Sequence, residues 1–329
     1  MESLYIFSNG TLERKNNTLA FVNQDGKRKY IPVENVSEMH IFGEVNFNKR
    51  ALEFLTEKNI ILHMYNYFGY YIGSFYPREH YNSAFVIIKQ TEKYLKESER
   101  LKLAKKFIEG AYKNILRNIS DYSRKEPKLI DIASGIKSMA KELNKAKSVD
   151  EIMGIEANIR QAYYDCFSYI ISNKDFRFEK RTKRPPADPI NALISFGNSL
   201  VYTTTLSQIY ETHLDPRIGY LHTNNHRRFT LNLDISEIFK PIIADRIIFS
   251  LLNKGQIRKK HFLREMNRAF LNEEGKKIFV EEFNKRLEST VYRPQMKRNV
   301  SYRTLIRLEV YKLEKHIIDD KEYKPYVRS

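Results

Sequence analysis

The hydrophobic period of the chain changes near residue 80, and this change limits the possible folds more than any other feature of the sequence. Before it, apolar residues fall in short runs such as LYIFSNG, TLAFVNQDGKRKYIPV and VSEMHIFG. These runs are rich in β-branched and aromatic residues, and the Asn-Gly and Asp-Gly pairs between them are hairpin signals. After it, Leu103, Phe107, Ala111 and Ile115 recur with the period of a helix.

This pattern predicts an α+β protein with two domains. We expect a small N-terminal β-strand domain at residues 1–82, followed by a larger all-α domain at residues 83–329. Two helix starts in the second domain carry local signals. SVDE at residues 148–151 is a capping box, and Asp188 is an N-cap with Pro189 at the first helical position.

The chain is strongly basic, with 57 Lys and Arg against 40 Asp and Glu and a formal net charge of +17. Such an excess indicates an anionic partner, with nucleic acid first and an anionic membrane surface second. The sequence contains no run of about 18 apolar residues, so it predicts no membrane span. The start MESLYIFSNG lacks a signal-peptide pattern. The single cysteine, Cys166, excludes an internal disulfide, so we expect a cytoplasmic protein.

The first candidate site residue is Glu156, in the helical pattern IMGIEANIRQAYYDCF. Glu156 leans onto the apolar stripe that contains Ile152 and Ile159. A carboxylate in such a place needs a partner or a cation, because desolvating it alone is costly. An i,i+4 pair with Arg160 would satisfy it without any functional role.

A histidine and two acids follow in GYLHTNNHRRFTLNLDISEIFKP. The alternating residues 229–233 predict a short buried strand that leads from His222 to the acids. Asp234 and Glu237 fit a D-x-x-E capping box, in which Asp234 is the N-cap. His222 could then be an ordinary loop histidine. Pro241 predicts a kink just after Glu237, since proline removes a backbone hydrogen bond.

The functional alternative joins Glu156, His222 and Glu237 in one site. Two carboxylates and one imidazole suit a divalent ion such as Mn²⁺ or Mg²⁺, and the imidazole favours Mn²⁺. Such an ion would polarise a phosphoryl oxygen and help to form the nucleophile. A zinc site from His222 and His226 is poorly supported, because paired cysteines and H-E-x-x-H are absent. No phosphate-binding glycine motif is present either.

Basic residues form a loop near residue 182 and two segments at 254–268 and 293–307. Charge runs are usually solvated, but basic segments also bind phosphate without reading base sequence. The candidate DNA contacts are Arg181, Lys183, Arg184, Arg227, Arg228, Arg258, Lys259 and Arg303.

In combination, these motifs resemble the Cas1 family of CRISPR-associated adaptation nucleases and integrases. The resemblance rests on GIEANIRQAYYDCF, KRTKRPPADPINALISFGNSLVY, LDPRIGYLHTNNHRRFTLNLDISEIFKP and RNVSYRTLIRLEVYKLEKHI, and it covers nearly the whole chain. The loop TNNHRRFT departs from the Gly/Arg/Ser-rich loop of many members and looks like the branch that accompanies type I-B systems.

The resemblance implies that Glu156, His222 and Glu237 are the catalytic metal ligands and that Asp234 supports them. It implies a homodimer formed through the β-rich domain, a catalytic and DNA-binding helical domain, and the small companion protein Cas2 as partner. The substrate would be double-stranded DNA. The reaction would be metal-dependent cleavage, and joining of a new spacer's 3′-hydroxyl to the repeat array.

Two other functions are compatible with parts of the sequence. A non-catalytic, basic DNA-binding scaffold would use the same surface, but it would not need Glu156 on an apolar stripe. A metal-dependent phosphohydrolase of small phosphate esters would use the same acids, but it would not need so extended a basic surface.

Overall fold

The computed structural model describes residues 2–77, 81, 83–182, 185–222, 229–265 and 268–328. The chain divides into two compact units, residues 1–82 and residues 83–329. The α+β class is confirmed, with strands in the first unit and mainly helices in the second. None of the described helices is long and apolar enough to cross a membrane.

In its described residues, the first unit contains β1 (Glu2–Ile6), β2 (Gly10–Lys15), β3 (Thr18–Asn23), β4 (Arg28–Ile31), β5 (Val36–Ile41), β6 (Val45–Phe47), α1 (Lys49–Glu57), β7 (Ile61–Tyr65) and β8 (Tyr71–Phe75). These strands form two four-stranded sheets. In the first sheet, β1, β5 and β7 run parallel, and β8 pairs antiparallel with β7. In the second sheet, β4, β3 and β2 are antiparallel neighbours, and β6 is parallel to β2.

Alternating side chains from these strands form the core of the first unit together with the apolar face of α1. Leu12, Leu19, Met39 and Phe54 are completely buried there. The Asp-Gly signal is confirmed as the β3–β4 hairpin, where Gly26 has a φ of 77°. The Asn-Gly signal was wrong as a hairpin, because the strands on either side of it belong to different sheets.

The part of the second unit that the structure describes is mainly helical, with α2 (Ala84–Leu95), α3 (Glu97–Ser123), α4 (Lys128–Lys141), α5 (Val149–Asp165), α6 (Phe167–Ile170), α7 (Pro189–Tyr210), α8 (Leu231–Phe239), α9 (Arg246–Asn253), β9 (Phe262–Glu265), β10 (Arg268–Leu271), α10 (Glu273–Glu288), β11 (Thr290–Arg293), β12 (Arg298–Ser301) and α11 (Tyr302–Asp319). These strands form two short antiparallel hairpins, β9–β10 and β11–β12.

Helix α7 is buried along most of its length and packs against α8 and α11. Gly197 on α7 permits this packing, because a Cβ atom there would lie 2.8 Å from Cζ of Phe279 and 3.2 Å from Cβ of Ala244. Helix α8 is in turn held between α3 and α7. The core of this unit therefore surrounds α8, the helix that carries Asp234 and Glu237.

The predicted strand at 229–233 is wrong, because α8 begins at Leu231. The apolar alternation was misleading for a physical reason. Most of α8 is buried, including the polar Asn232 and Ser236, so the helix has no clear amphipathic period. The interruption predicted at Pro241 is found as a π-helical turn, Pro241–Asp245, between α8 and α9.

Candidate active site

Helix α5 carries Glu156 and Arg160 on one side of the site. Its predicted start is confirmed, since Oγ of Ser148 accepts a hydrogen bond from the backbone N–H of Glu151 at 3.2 Å. Glu156 and Arg160 are one helical turn apart, and Nε of Arg160 lies 3.2 Å from Oε1 of Glu156. The predicted i,i+4 pair is therefore present.

Arg160 also connects α5 to α8, because its NH2 group donates a hydrogen bond to Oε2 of Glu237. Nζ of Lys240 lies 2.5 Å from the other carboxylate oxygen of Glu237. Glu237 is buried, with 6% of the residue exposed. Glu156 and Glu237 thus meet at one centre through a shared arginine, although they are distant in sequence.

His222 reaches the same centre from the loop before α8, where Nδ1 lies 2.8 Å from Oδ1 of Asp234. Because the carboxylate can only accept, Nδ1 carries the hydrogen, and Nε2 is the nitrogen left to act as a ligand or base. Burial alone would lower the pKa of His222. The hydrogen bond and charge of Asp234, together with the charge of Glu237, raise it above the ordinary value of 6.5.

The prediction that Asp234 is an N-cap is wrong. Asp234 lies in the first turn of α8, is completely buried, and accepts hydrogen bonds from the backbone N–H groups of residues 220, 221 and 222 at 2.6–3.0 Å. Gly219 allows this approach, since a Cβ atom there would lie 2.9 Å from Oδ2 of Asp234. Asp234 therefore fixes the histidine loop on α8.

The charges at the centre are strongly coupled. Burial would raise the pKa of Glu237, but Lys240, Arg160 and His222 hold it far below its usual range. Burial and the neighbouring charge of Glu237 raise the pKa of Glu156 above its ordinary value, against the opposing effect of Arg160. The arrangement thus keeps one carboxylate ionised and makes the second easier to protonate.

Asp245 is a further acid, at the end of the π-helical turn that follows the helix of Glu237. It is 2% exposed, and its Oδ2 accepts no hydrogen bond from any residue that the structure describes. Burial raises the pKa of Asp245 to about 6, although Arg160 and a hydrogen bond from Tyr163 oppose the shift. Asp245 therefore adds a buried acid whose charge is only partly compensated.

The donor types at this centre fit a hard divalent ion, since Glu156 and Glu237 supply carboxylates and His222 supplies an imidazole. In the arrangement described, Arg160 and Lys240 occupy the oxygens of Glu237. Within the described ranges, no group of three or more His, Cys, Asp or Glu side chains is positioned to hold an ion. An ion at Glu237 would therefore have to displace a bound cationic side chain.

The predicted DNA contacts lie in different environments. Arg181 donates hydrogen bonds to Oδ1 of Asn191 at 2.8 Å and to Oγ of Ser195 at 3.1 Å, so it anchors its loop to α7. Arg258 and Lys259 are exposed, and Lys259 pairs with Asp175 at 2.9 Å. Lys183, Arg184, Arg227 and Arg228 lie outside the described residues.

Arg303 does not fit the predicted surface. The residue is 8% exposed, and its Nε lies 3.2 Å from Oε1 of Glu288. Arg303 occupies the first turn of α11, where it is packed against the helical core. The prediction of a DNA contact at this position is therefore corrected to a structural ion pair.

Sequence reasoning missed Lys240 and Asp245 and treated Arg160 only as a partner of Glu156. Lys240 could have been found, because it follows Glu237 at the i,i+3 spacing of helical ion pairs. Asp245 carries no comparable local signal, since its position depends on the π-helical turn.

The fold and the site together define a class of protein: a basic, two-unit α+β chain with buried carboxylates on two helices and a histidine on the loop before one of them. The chain belongs to the family described as CRISPR associated protein Cas1, whose sequence model matches residues 4–285. The family expected from the motifs is thereby confirmed.

Relatives match over the full length. The chain is 56% identical over 326 residues to a CRISPR-associated endonuclease Cas1 of Thermodesulfovibrio yellowstonii, covering 99% of this chain and 98% of the relative. It is 49% identical over 323 residues to a CRISPR-associated endonuclease Cas1 of Thermotoga maritima, covering 98% and 99%. A solved Cas1 structure from Thermotoga maritima superposes with a TM-score of 0.88 at 47% identity, covering 99% and 100%.

The fold also occurs in a casposase solved bound to its integration product. That structure matches with a TM-score of 0.89 at 22% identity, covering all of this chain and 94% of the casposase. At this identity, the likeness shows a common fold.

Proposed function

We propose that the chain is a divalent-metal-dependent DNA endonuclease and integrase that inserts new spacers into a CRISPR repeat array. The observation that carries this function is the convergence of Glu156 and Glu237 on one buried centre beside a histidine oriented by Asp234. The relatives with 56% and 49% identity are named as CRISPR-associated endonucleases, which supports the same activity.

In this proposal, Glu156, His222 and Glu237 hold Mn²⁺ or Mg²⁺. When bound, the ion would polarise a phosphoryl oxygen and lower the pKa of the attacking water or 3′-hydroxyl. Asp234 keeps the proton of His222 on Nδ1 and so presents Nε2 to the centre. Helix α8 keeps Asp234 and Glu237 on one rigid element, which preserves the geometry during turnover.

The proposed substrate is double-stranded DNA, and the proposed partner is the companion protein Cas2. The +17 net charge supports a phosphate-binding surface, to which the exposed Arg258 and Lys259 contribute. Proteins of the same fold have been solved in a Cas6-RT-Cas1–Cas2 complex, which matches this chain at 18% identity. We also propose a cytoplasmic homodimer joined through residues 1–82, and an association with a type I-B system.

The function can be tested with the full chain, Cas2 and a labelled double-stranded DNA end in Mn²⁺. Glu156→Ala, His222→Ala and Glu237→Ala should each reduce the rates of cleavage and joining by roughly 100-fold or more. Even changes to residues that only support metal ligands lower metal affinity or activity by about 10- to 100-fold. EDTA should have the same effect on the parent. Glu142→Ala is a matched control, because Glu142 is an exposed acid paired only with Lys145 among the described residues.

The result has three clear readings. Loss of turnover in all three variants, in protein that thermal melts show to be folded, together with an active control, supports the proposed centre. Full turnover of Glu156→Ala in EDTA contradicts it. Tight DNA binding by a parent that neither cleaves nor joins DNA would favour the non-catalytic scaffold.

A further inference from the structure

We propose that Arg160 is a positioning residue that acts as an exchangeable counter-ion. In the metal-free protein it neutralises Glu156 and Glu237, and when a divalent cation binds at Glu237 the guanidinium transfers to Asp245. The inference rests on the proposed metal centre and concerns how that centre is loaded.

Arg160 cannot be left without an acidic partner. Its side chain is only 11% exposed. Arg160 donates to Glu156 and Glu237, so each of its present hydrogen bonds to an acid goes to a proposed metal ligand. A buried guanidinium that loses its carboxylate is strongly destabilising, because the charge is desolvated without compensation.

Both carboxylate oxygens of Glu237 have cationic partners. Lys240 lies 2.5 Å from Oε1, and Arg160 donates to Oε2. A divalent cation that approaches this carboxylate meets both positive groups at short range, and like charges repel strongly in a buried site. Binding therefore requires that the guanidinium leave Oε2, and a second acceptor must lie within reach.

Asp245 is the second acceptor in this proposal. Asp245 is buried, and its Oδ2 accepts no hydrogen bond from any residue in the described part of the chain. Burial lowers the pKa of Arg160. The electrostatic effects of four neighbours outweigh burial and raise that pKa, and these neighbours are Glu237, Tyr164, Glu156 and Asp245. Asn118 joins the helix of Arg160 to the turn that ends at Asp245, because its Nδ2 donates to Oη of Tyr163, three residues after Arg160, at 3.0 Å and to the carbonyl of Pro241 at 2.6 Å. An unsatisfied buried carboxylate oxygen is costly, and Arg160 would satisfy it.

The backbone at Asp245 is consistent with this role. Asp245 closes the π-helical turn Pro241–Asp245, with its N–H donating to the carbonyl of Lys240 at 3.1 Å. Single π-helical turns place side chains where a regular α-helix would not, and they are frequent at functional sites. Here Asp245 is the residue that ends the turn directly after α8.

The exchange has a consequence for metal affinity. While Arg160 occupies Glu237 it competes with the cation, and while Asp245 is charged it lowers the cost of releasing Arg160. Arg160→Gln should therefore bind Mn²⁺ more tightly than the parent and be less stable without metal. Asp245→Asn should bind Mn²⁺ more weakly, by about tenfold or more, as expected for a supporting residue of a metal site.

The test is a double-mutant cycle on the full chain, with Mn²⁺ affinity measured by titration calorimetry and metal-free stability by thermal melts. The variants are Arg160→Gln, Asp245→Asn and the combination. If Asp245 acts through Arg160, Asp245→Asn weakens Mn²⁺ binding in the parent but has little effect in the Arg160→Gln background. Glu309→Gln is the control, because Glu309 is a buried acid on α11 with its own partners, Tyr323 and Lys312.

Two results would overturn the exchange: unchanged Mn²⁺ affinity in Asp245→Asn, or an equal loss in both backgrounds, which would mean a purely structural role. If Arg160→Gln does not fold, Arg160→Lys retains the charge and should retain sensitivity to Asp245→Asn. A parent that binds no Mn²⁺ would remove the proposed metal centre itself. A parent that binds Mn²⁺ without this coupling would remove only the exchange.

Discussion

Asp234 shows how one buried carboxylate can fix both a loop and an imidazole. Its Oδ2 accepts from the backbone N–H groups of residues 220 and 221, and its Oδ1 accepts from the N–H and Nδ1 of His222. Hydrogen bonds to an ionised acceptor are stronger than neutral ones. The loop and the imidazole are therefore held by a single residue on α8.

Asp234→Asn should destabilise the protein, although asparagine has nearly the same shape. The neutral amide loses the charge-assisted hydrogen bonds, and its NH₂ group would face backbone donors. We expect a loss of about 2 kcal/mol in the free energy of unfolding, typical for hydrogen bonds to charged groups. Thermal and urea melts in EDTA measure this, and a melt equal to the parent's would show that the contacts contribute little.

The same substitution should lower the pKa of His222. Burial lowers that pKa and Asp234 raises it, so loss of the carboxylate leaves burial dominant. In the metal-free parent, the raised pKa means that protonated His222 adds stability below pH 6.5, and this stability is lost as the pH rises through the folded-state pKa. Ring-proton NMR titrations of both proteins in EDTA test the order of the two pKa values.

At the scale of elements, α8 and the π-helical turn depend on side chains from α3 and α10. Proline and the change of helical pattern leave backbone carbonyls without their usual donors. Nδ2 of Asn114 donates to the carbonyl of Ile238 at 2.9 Å, and Nδ2 of Asn118 donates to that of Pro241 at 2.6 Å. Arg286 donates twice to the carbonyl of Ile242, at 2.8 and 3.0 Å.

Asn114→Ala should therefore destabilise the helical unit. Asn114 is completely buried, and besides Ile238 it bonds to the carbonyl of Tyr326 and the N–H of Arg328. Its removal leaves buried backbone groups unsatisfied, which costs about 1–3 kcal/mol for each such group. Asn144→Ala, at an exposed position, is the control and should stay within about 0.5 kcal/mol of the parent in denaturant melts.

At the scale of the whole molecule, the net charge of +17 dominates the expected interaction with DNA. Affinity for double-stranded DNA should fall by about 10³-fold or more between about 50 and 200 mM salt, as for several phosphate contacts. Arg258→Gln and Lys259→Gln should weaken binding to all DNA sequences alike and make the salt dependence less steep. Fluorescence anisotropy across a salt series measures both effects.

Arg303→Gln is the internal comparison for this series. Because Arg303 is buried and paired with Glu288, its substitution should lower the melting temperature and leave the salt dependence of DNA binding nearly unchanged. An affinity that does not change with salt would contradict a phosphate-led interface.

Some features of this protein were determined by its sequence alone. The change of period separated a strand-rich part from a helical part, and local signals placed the Asp25-Gly26 hairpin and the starts of α5 and α7. The combined motifs also identified the family. Such features are readable because they depend on backbone hydrogen bonds between residues a few positions apart.

Other features were decided only by the tertiary structure. The sequence around Asp234 read as a strand and a cap, whereas burial by α3 and α7 makes it a helix whose acid anchors a preceding loop. Arg160 meets Glu237 across 77 positions, and Asp245 is buried at the end of a π-helical turn. A buried charge takes whichever partner the packed chain places beside it, and sequence spacing does not record that partner when it comes from another helix.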